Sequence, residues 1–214
     1  MKWEKRSLMS NLAVPANRRK VYLEMALRRC RPGRGSSLAF LQSRTWNHPV
    51  TDLRTIIQTP FVIVGGIATR LYMPERMTDD LDILIWAENS DRIYGELEQA
   101  GSQRVGALNI GGSTWQLSDG TILNVLEFEQ AWIADAIAYP NFSPDGLPVI
   151  ALPYLVLMKL QASRSQDLAD ISRMLGGADE EMLNSVRSVI GIYLSDALED
   201  LESLIALGQL EMGN

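Results

Sequence analysis

From Phe61 to Ile85 the chain reads FVIVGGIATRLYMPERMTDDLDILI. Phe61 to Val64 is a continuous apolar run of the kind that forms a strand buried on both faces. Gly65-Gly66 lets the backbone turn tightly before a short helix expected to begin near Ile67. An acidic cluster then opens a second apolar strand, LDILI. Side chains alternate faces along a strand. If this strand begins near Asp80, Asp80 and Asp82 project to one side while Leu81 and Ile83 project to the other. Two carboxylates on one face share a divalent cation naturally. Hard oxygen donors suit Mg²⁺, which one or two carboxylates hold while substrate phosphates and waters complete its octahedron. Asp79 points to the opposite side and reads as a solvated neighbour. The bland reading is an acidic loop entering a strand. Against it stand the low strand propensity of Asp and the cost of like charges side by side.

The paired glycine fits the same chemistry. A helix starting there presents free N–H groups to a triphosphate. Gly-Gly by itself is equally a simple turn. A dinucleotide-binding turn needs a third glycine and an acidic residue about twenty positions on, and neither stands in the right place. A haloacid-dehalogenase-like phosphatase carries Asp-x-Asp at the exit of an apolar strand, whereas here the pair sits at the entrance of one. That polarity favours transfer of a nucleotidyl group.

Gly65-Gly66 followed by Arg76-x-Thr78-x-Asp80-x-Asp82 resembles the signature of the DNA-polymerase-β-type nucleotidyltransferase superfamily. It is most similar to the minimal prokaryotic branch that includes the abortive-infection (AbiEii-type) toxins. The resemblance implies a small mixed β-sheet flanked by helices (an α/β, more strictly α+β, class). It also implies an NTP substrate, Mg²⁺ or Mn²⁺ as cofactor, and a hydroxyl acceptor on RNA, a protein or a small molecule. In such a site Asp80 and Asp82 hold the metal, Gly65 and Gly66 cradle phosphates, and Thr78 positions the metal-binding strand. Arg76 pairs either with a phosphate or with Glu75 or Asp79.

A second block, LPYLVLMKLQASRSQDLADISRML from Leu152 to Leu175, extends the resemblance. Between Leu155 and Leu160 only Lys159 is polar, so the segment reads as a buried helix carrying one cation. Taken alone, Lys159 either snorkels to the surface or meets a triphosphate. The family carries a Lys on a helix followed by Arg-x-x-Asp-x-x-Asp, matched here by Lys159, Arg164, Asp167 and Asp170. The resemblance therefore makes Lys159 a phosphate contact, with Asp170 orienting it. On one continuous helix, residues eleven apart fall about 20° apart in azimuth and share a face.

One position departs from the family. The superfamily takes a third carboxylate from a neighbouring strand, and in TILNVLEFE that place falls on Asn124. Asn ligates a metal through its amide oxygen but cannot act as a general base. Glu127 faces the other side by alternation, and Glu129 is expected to start the following helix. A slow or inactive enzyme, serving as a nucleotide-binding or regulatory module, is therefore the alternative. A protein-interaction partner, such as one half of a toxin–antitoxin pair, is the other.

Composition bounds the rest. The chain has 214 residues, 46% of them hydrophobic, enough to bury one core with a helical appendage. No apolar stretch reaches the roughly 18 residues that span a bilayer, and MKWEKRSLMS lacks the apolar run of a secretory signal. Cys30 is the only cysteine and His48 the only histidine. That excludes an intrachain disulfide, a cysteine-rich zinc site and a multi-histidine metal site, and makes a Ser-His-Asp hydrolase a poor fit. A reducing cytoplasm is the expected compartment.

Charge is unevenly spread. Residues 1–60 hold twelve Lys and Arg against three Asp and Glu, whereas the remainder holds eight against twenty-three. Arg18, Arg19, Lys20, Arg28, Arg29, Arg31 and Arg34 cluster around VYLEMALRRC. This arm either approaches an RNA backbone or docks on the acidic body of its own chain. RPGRGSS is the boundary loop.

Helical patterns are expected at 91–100 and 129–138, and strands at 104–109, 113–117, 121–127 and 148–151. Gly176-Gly177 stops the Lys159 helix, and Asp179 caps a last helix running to about Leu207. Trp115, Trp132 and Tyr154 read as core or pocket wall. Three parts result: a basic helical arm at 1–55, a core at 56–151 and a helical part at 152–214.

Overall fold

Val62, Ile63 and Val64 are fully buried, and they form β1 (Val62–Val64) at the middle of a sheet. In the computed structural model the described residues are 16–33, 46, 48–74, 78 and 80–213. Among them, β1 pairs antiparallel with β2 (Asp80–Trp86), with Val64 opposite Asp82. β2 pairs parallel with β5 (Ile122–Phe128), placing Asp82 beside Asn124. β4 (Gly112–Gln116) lies antiparallel to β5, and β3 (Gln103–Ala107) lies antiparallel to β4. On the far side of β1 lie β7 (Pro148–Val149), parallel to it, and β6 (Asn141–Phe142), antiparallel to β7. The order β3-β4-β5-β2-β1-β7-β6 is a mixed seven-stranded sheet. With helices flanking it, the chain is of the mixed α/β (α+β) class expected from the sequence.

Eight helices accompany the sheet among the described residues. They are α1 (Ala16–Arg29), α2 (Gly65–Ala68), α3 (Ser90–Gln99), α4 (Trp132–Ala138), α5 (Leu152–Ala162), α6 (Ser165–Gly176), α7 (Glu180–Tyr193) and α8 (Leu198–Met212). α2 and α4 pack against β2, so the acidic strand is gripped from both its entry and its body. Leu81, Ile83, Leu84 and Ile85 are buried beyond the acidic entrance. That burial explains why the run is apolar on both faces once past Asp82.

Several elements differ from the sequence expectation. The helix after β1 begins at Gly65 rather than Ile67 and lasts four residues before passing into a 3₁₀ turn at Thr69–Leu71. α4 starts at Trp132, leaving Glu129 in the loop before it. β6 has no alternating pattern to announce it, being two residues long. The segment 152–175 is two helices, because Ser163 adopts φ 49, left-handed backbone that reverses the chain. The last helix is also two: Leu194 leaves helical geometry at φ −153, and a 3₁₀ turn at Ser195–Ala197 leads into α8. Ser and Asp compete with helical backbone for hydrogen bonds. The break at Ser195-Asp196 lets α7 pack on α5 while α8 packs on α6. Asp179 does cap α7, accepting from the Met182 N–H at 2.8 Å.

α6 and α8 approach so closely that glycine is required. A Cβ on Gly208 would lie 2.1 Å from the Ser172 carbonyl oxygen, whereas one on Gly191, in α7, would meet nothing within 4 Å. Gly208→Ala is therefore expected to lower unfolding free energy by about 1–3 kcal/mol through forced separation of the helices. Gly191→Ala should raise it by about 0.5–1 kcal/mol through helix propensity. Urea titration of the two variants checks the contrast. A Gly208→Ala variant as stable as wild type, or less affected than Gly191→Ala, would disprove the packing argument.

α1 docks on α8. Arg19 is buried against Asp200 and donates to Ser163 Oγ at 2.9 Å, while Lys20 meets Glu199 at 2.8 Å and Leu23 is buried beneath them. Of the basic cluster, Arg19 and Lys20 are thus engaged with the chain's own acidic body, and Arg28, Arg29 and Arg31 are exposed. The side chains of Arg18 and Arg34 lie outside the described residues. Among the described residues no helix is long and apolar enough to cross a membrane.

Candidate active site

Asp82 is held by three strands and a turn. Its Oδ1 accepts from Asn124 Nδ2 at 2.9 Å, and Asn124 Oδ1 in turn accepts from Thr114 Oγ at 2.9 Å. The register makes this chain inevitable, since Asn124 is the parallel neighbour of Asp82 and Thr114 the antiparallel neighbour of Asn124. The other oxygen, Oδ2, lies against Gly65: a Cβ there would sit 1.9 Å from it. Gly65 also has φ +66, backbone that glycine adopts without strain. Thr78 lies over the next glycine, with its Oγ 2.7 Å from where a Gly66 Cβ would be. Thr78, Gly65, Gly66 and Asp82 therefore form one contiguous surface.

Asp80 is exposed at the strand entrance and Asp82 half-buried two residues in, on the same side of β2 by alternation. Burial pushes the Asp82 carboxyl above its ordinary value, and the Asp80 charge pushes the same way. The Asn124 hydrogen bond and the charges of Arg164 and Lys159 oppose both. A desolvated carboxylate beside a second negative charge is a site short of positive charge. Asp82 Oδ2 and Asp80 are hard oxygen donors, and the turn at Gly65 keeps side-chain bulk away from them, so the residues fit a divalent cation such as Mg²⁺ or Mn²⁺. Among the described residues no group of three or more His, Cys, Asp or Glu converges to hold a metal by protein ligands alone. A cation here would depend on substrate phosphates for further ligands.

Asn124 does not present a third oxygen in this arrangement. Its amide nitrogen faces Asp82 and its oxygen is engaged by Thr114; the reverse orientation would set the amide oxygen against a carboxylate oxygen. Asn124 is a clamp on Asp82. Glu127 faces away, as alternation predicts, with Oε1 buried and without a hydrogen-bond partner. Burial raises its carboxyl above the ordinary value, and Asp91 adds to the shift. Arg76, Glu75 and Asp79 lie outside the described residues.

Lys159 occupies a second, adjoining cluster. Its Nζ lies 2.8 Å from Asp170 Oδ2 and 3.2 Å from Asp167 Oδ1. Asp167 also receives Arg164 Nε at 2.7 Å and Nη2 at 3.2 Å, and Asp170 receives Gln166 Nε2 at 2.8 Å. The meeting of Lys159 with Asp170 does not arise from helical azimuth. It arises from the reversal at Ser163, which folds α6 back along α5. Sequence reasoning assigned no part to Asp167, Arg164 or Thr114. The Arg-x-x-Asp spacing was a signal for the first two, because residues three apart share a helix face. Nothing signals Thr114 before the β4–β5 register is known.

Trp115 and Trp132 are buried core residues, and Trp132 stacks on Tyr154 with ring centroids 6.1 Å apart. They wall the core, as expected.

The contact between Gly65 and Asp82 yields a sharp expectation. Gly65→Ala must strain the backbone at positive φ and displace the carboxylate, costing on the order of 1–3 kcal/mol in stability. If Asp82 holds a cation with the nucleotide, titration of Mg²⁺ with nucleotide should show binding weakened by about tenfold or more, since a shifted carboxylate would misplace that cation. Wild-type affinity in a folded Gly65→Ala protein would show that Asp82 does not need its present position.

The sequence matches no protein-family model and no curated protein. Among solved structures, this chain is similar to the crystal structure of ANT(2")-Ia in complex with adenylyl-2"-tobramycin. That likeness is 18% identical, covers 70% of this chain and 87% of that one, and has a TM-score of 0.40. It is also similar to the solution structure of antibiotic-resistance factor ANT(2'')-Ia, at 19% identity, covering 70% and 82% of the two chains, with a TM-score of 0.39.

Proposed function

We propose that this protein is a metal-dependent nucleotidyltransferase that moves an NMP from an NTP to a hydroxyl of RNA, a protein or a small molecule. The observation that carries the reading is the juxtaposition of Asp80 and Asp82 on one face of β2 with the Gly65 turn at the end of β1. Asp80 and Asp82 hold Mg²⁺ or Mn²⁺, which draws charge from the phosphoryl oxygens when bound. Gly65 and Gly66 bring backbone close to the phosphates, and Thr78 and Asn124 keep Asp82 in place. The acceptor oxygen bonds to the α-phosphorus as the bond to the bridging oxygen breaks and pyrophosphate departs. The acceptor's proton passes to water.

Asn124 favours a second reading, a nucleotide-binding or regulatory module with slow or no turnover, because the amide offers no base. Such a module binds Mg-NTP and labels no acceptor. Within the proposed superfamily the motif spacing lies nearest the AbiEii-type branch, with a role as the toxin of a toxin–antitoxin pair. An NTP substrate places the protein in the cytoplasm, and the exposed Arg28, Arg29 and Arg31 are where an RNA acceptor or an antitoxin would meet it.

Calorimetric titration of each of the four NTPs, with and without Mg²⁺, tests the reading. Metal-dependent binding of at least one nucleotide is expected, and α-labelled nucleotide then reports the acceptor class. Absence of binding for all four would overturn the proposal.

A further inference from the structure

The two oxygens of Asp82 are not equally open to a metal. Oδ1 accepts from Asn124 Nδ2 at 2.9 Å, so a donor N–H already occupies the approach to it. Oδ2 lies on the side of the Gly65 turn, where the missing Cβ leaves room beside it. The amide is held end for end. Asn124 Oδ1 receives the Thr114 hydroxyl at 2.9 Å. Turning the amide over would set that oxygen against the carboxylate and take from the Thr114 proton its acceptor. Strand register fixes both neighbours, Asn124 beside Asp82 and Thr114 beside Asn124.

Two-metal sites place their ions about 3.5–4 Å apart, one against the attacking oxygen and one against the leaving oxygen. Ions that close share a carboxylate, which gives one oxygen to each. Asp82 has only Oδ2 to give, and the N–H beside Oδ1 turns its positive end toward the place a second cation would take. Asp80 finds no further carboxylate to share an ion with, since among the described residues no third acidic, thiol or imidazole ligand joins the pair. We infer that Asn124, held by Thr114, restricts the Asp80–Asp82 site to one divalent cation, its neutral amide standing where a second ion would be bound. In consequence the acceptor hydroxyl meets no metal of its own.

This inference rests on the proposed nucleotidyl transfer, and the experiment separates the two. Wild type and Asn124→Asp are dialysed to equilibrium against Mn²⁺ with the α,β-methylene analogues of ATP, GTP, CTP and UTP in turn, which cannot release pyrophosphate. Metal and nucleotide retained per chain are counted, and each protein is also melted in EDTA and with Mn²⁺ and analogue. Expected is one Mn²⁺ per bound nucleotide in wild type and two in Asn124→Asp, whose added carboxylate supplies the ligand for a second ion. The variant should melt below wild type in EDTA, because three carboxylates repel, and regain the difference with Mn²⁺ and analogue. Two Mn²⁺ per nucleotide in wild type overturns the inference while leaving the proposed function standing, and this count needs no variant. A folded Asn124→Asp that retains one Mn²⁺ also overturns it, since the limit would then lie elsewhere in the site. Wild type that retains no nucleotide defeats the proposed function, and the inference falls with it.

Discussion

The Asp80→Asn, Asp82→Asn double variant is expected to fold as the wild type does, melt at the same temperature or higher, and lose Mg-NTP binding and transfer together. Both substitutions are isosteric and neutral. Asn at position 82 still accepts from Asn124 Nδ2, so the hydrogen-bonded chain from Thr114 is kept. What disappears is a carboxylate whose ionised form burial and Asp80 disfavour. Removing that charge relieves repulsion in the metal-free protein, which is why stability should hold or rise. On the proposed function the metal would lose both protein ligands, and with them several kcal/mol of charge stabilisation at the phosphoryl group. Transfer should fall on the order of a thousandfold or more. Calorimetry with Mg-NTP, a thermal melt and a labelled-nucleotide assay on the same preparation make the check. Transfer at the wild-type rate by the folded double variant would sink the assignment of these carboxylates.

The largest stability effect is expected at Lys159. Lys159→Met removes the cation shared by Asp167 and Asp170 and leaves two carboxylates in a dry environment, where Asp167 keeps Arg164 and Asp170 keeps the neutral amide of Gln166. Breaking a buried charge cluster by deleting one partner costs about 3–5 kcal/mol, a large fraction of the margin by which a domain of this size is stable. Adding Asp170→Asn to Lys159→Met should recover a substantial part of that loss, because the remaining Asp167 retains Arg164. Urea denaturation of wild type, single and double variants measures the sequence of losses. A single variant as stable as wild type would mean that Lys159 is not the counter-charge its position indicates.

Part of this architecture is local, and it is legible in the chain. The apolar run at Val62–Val64, the glycine pair and the alternation of Asp80, Leu81, Asp82 and Ile83 each depend on neighbours within a few residues. The mixed class and the carboxylates on one strand face could be read directly for that reason. Asp179 as a cap is likewise a four-residue matter. The helix boundaries were less legible. Apolar periodicity continues across Ser163 and across Leu194, and only the docking of α6 on α5 and of α8 on α6 favours a reversal at each place over one long helix.

By itself, then, the sequence determined which residue types stand together along the chain: a buried strand, a glycine turn, two carboxylates two residues apart, and a lysine followed by Arg-x-x-Asp-x-x-Asp. Tertiary structure alone decided what those groups touch. Strand register put Asn124 against Asp82, and the carboxylate then turned the amide nitrogen, rather than its oxygen, toward itself. A left-handed residue at Ser163 folded Lys159 onto two buried carboxylates and left Arg164 at the surface. The physical reason is that hydrogen bonds and ion pairs act over about 3 Å. Groups forty residues apart come within that distance only after register, chain reversal and burial have been settled by packing.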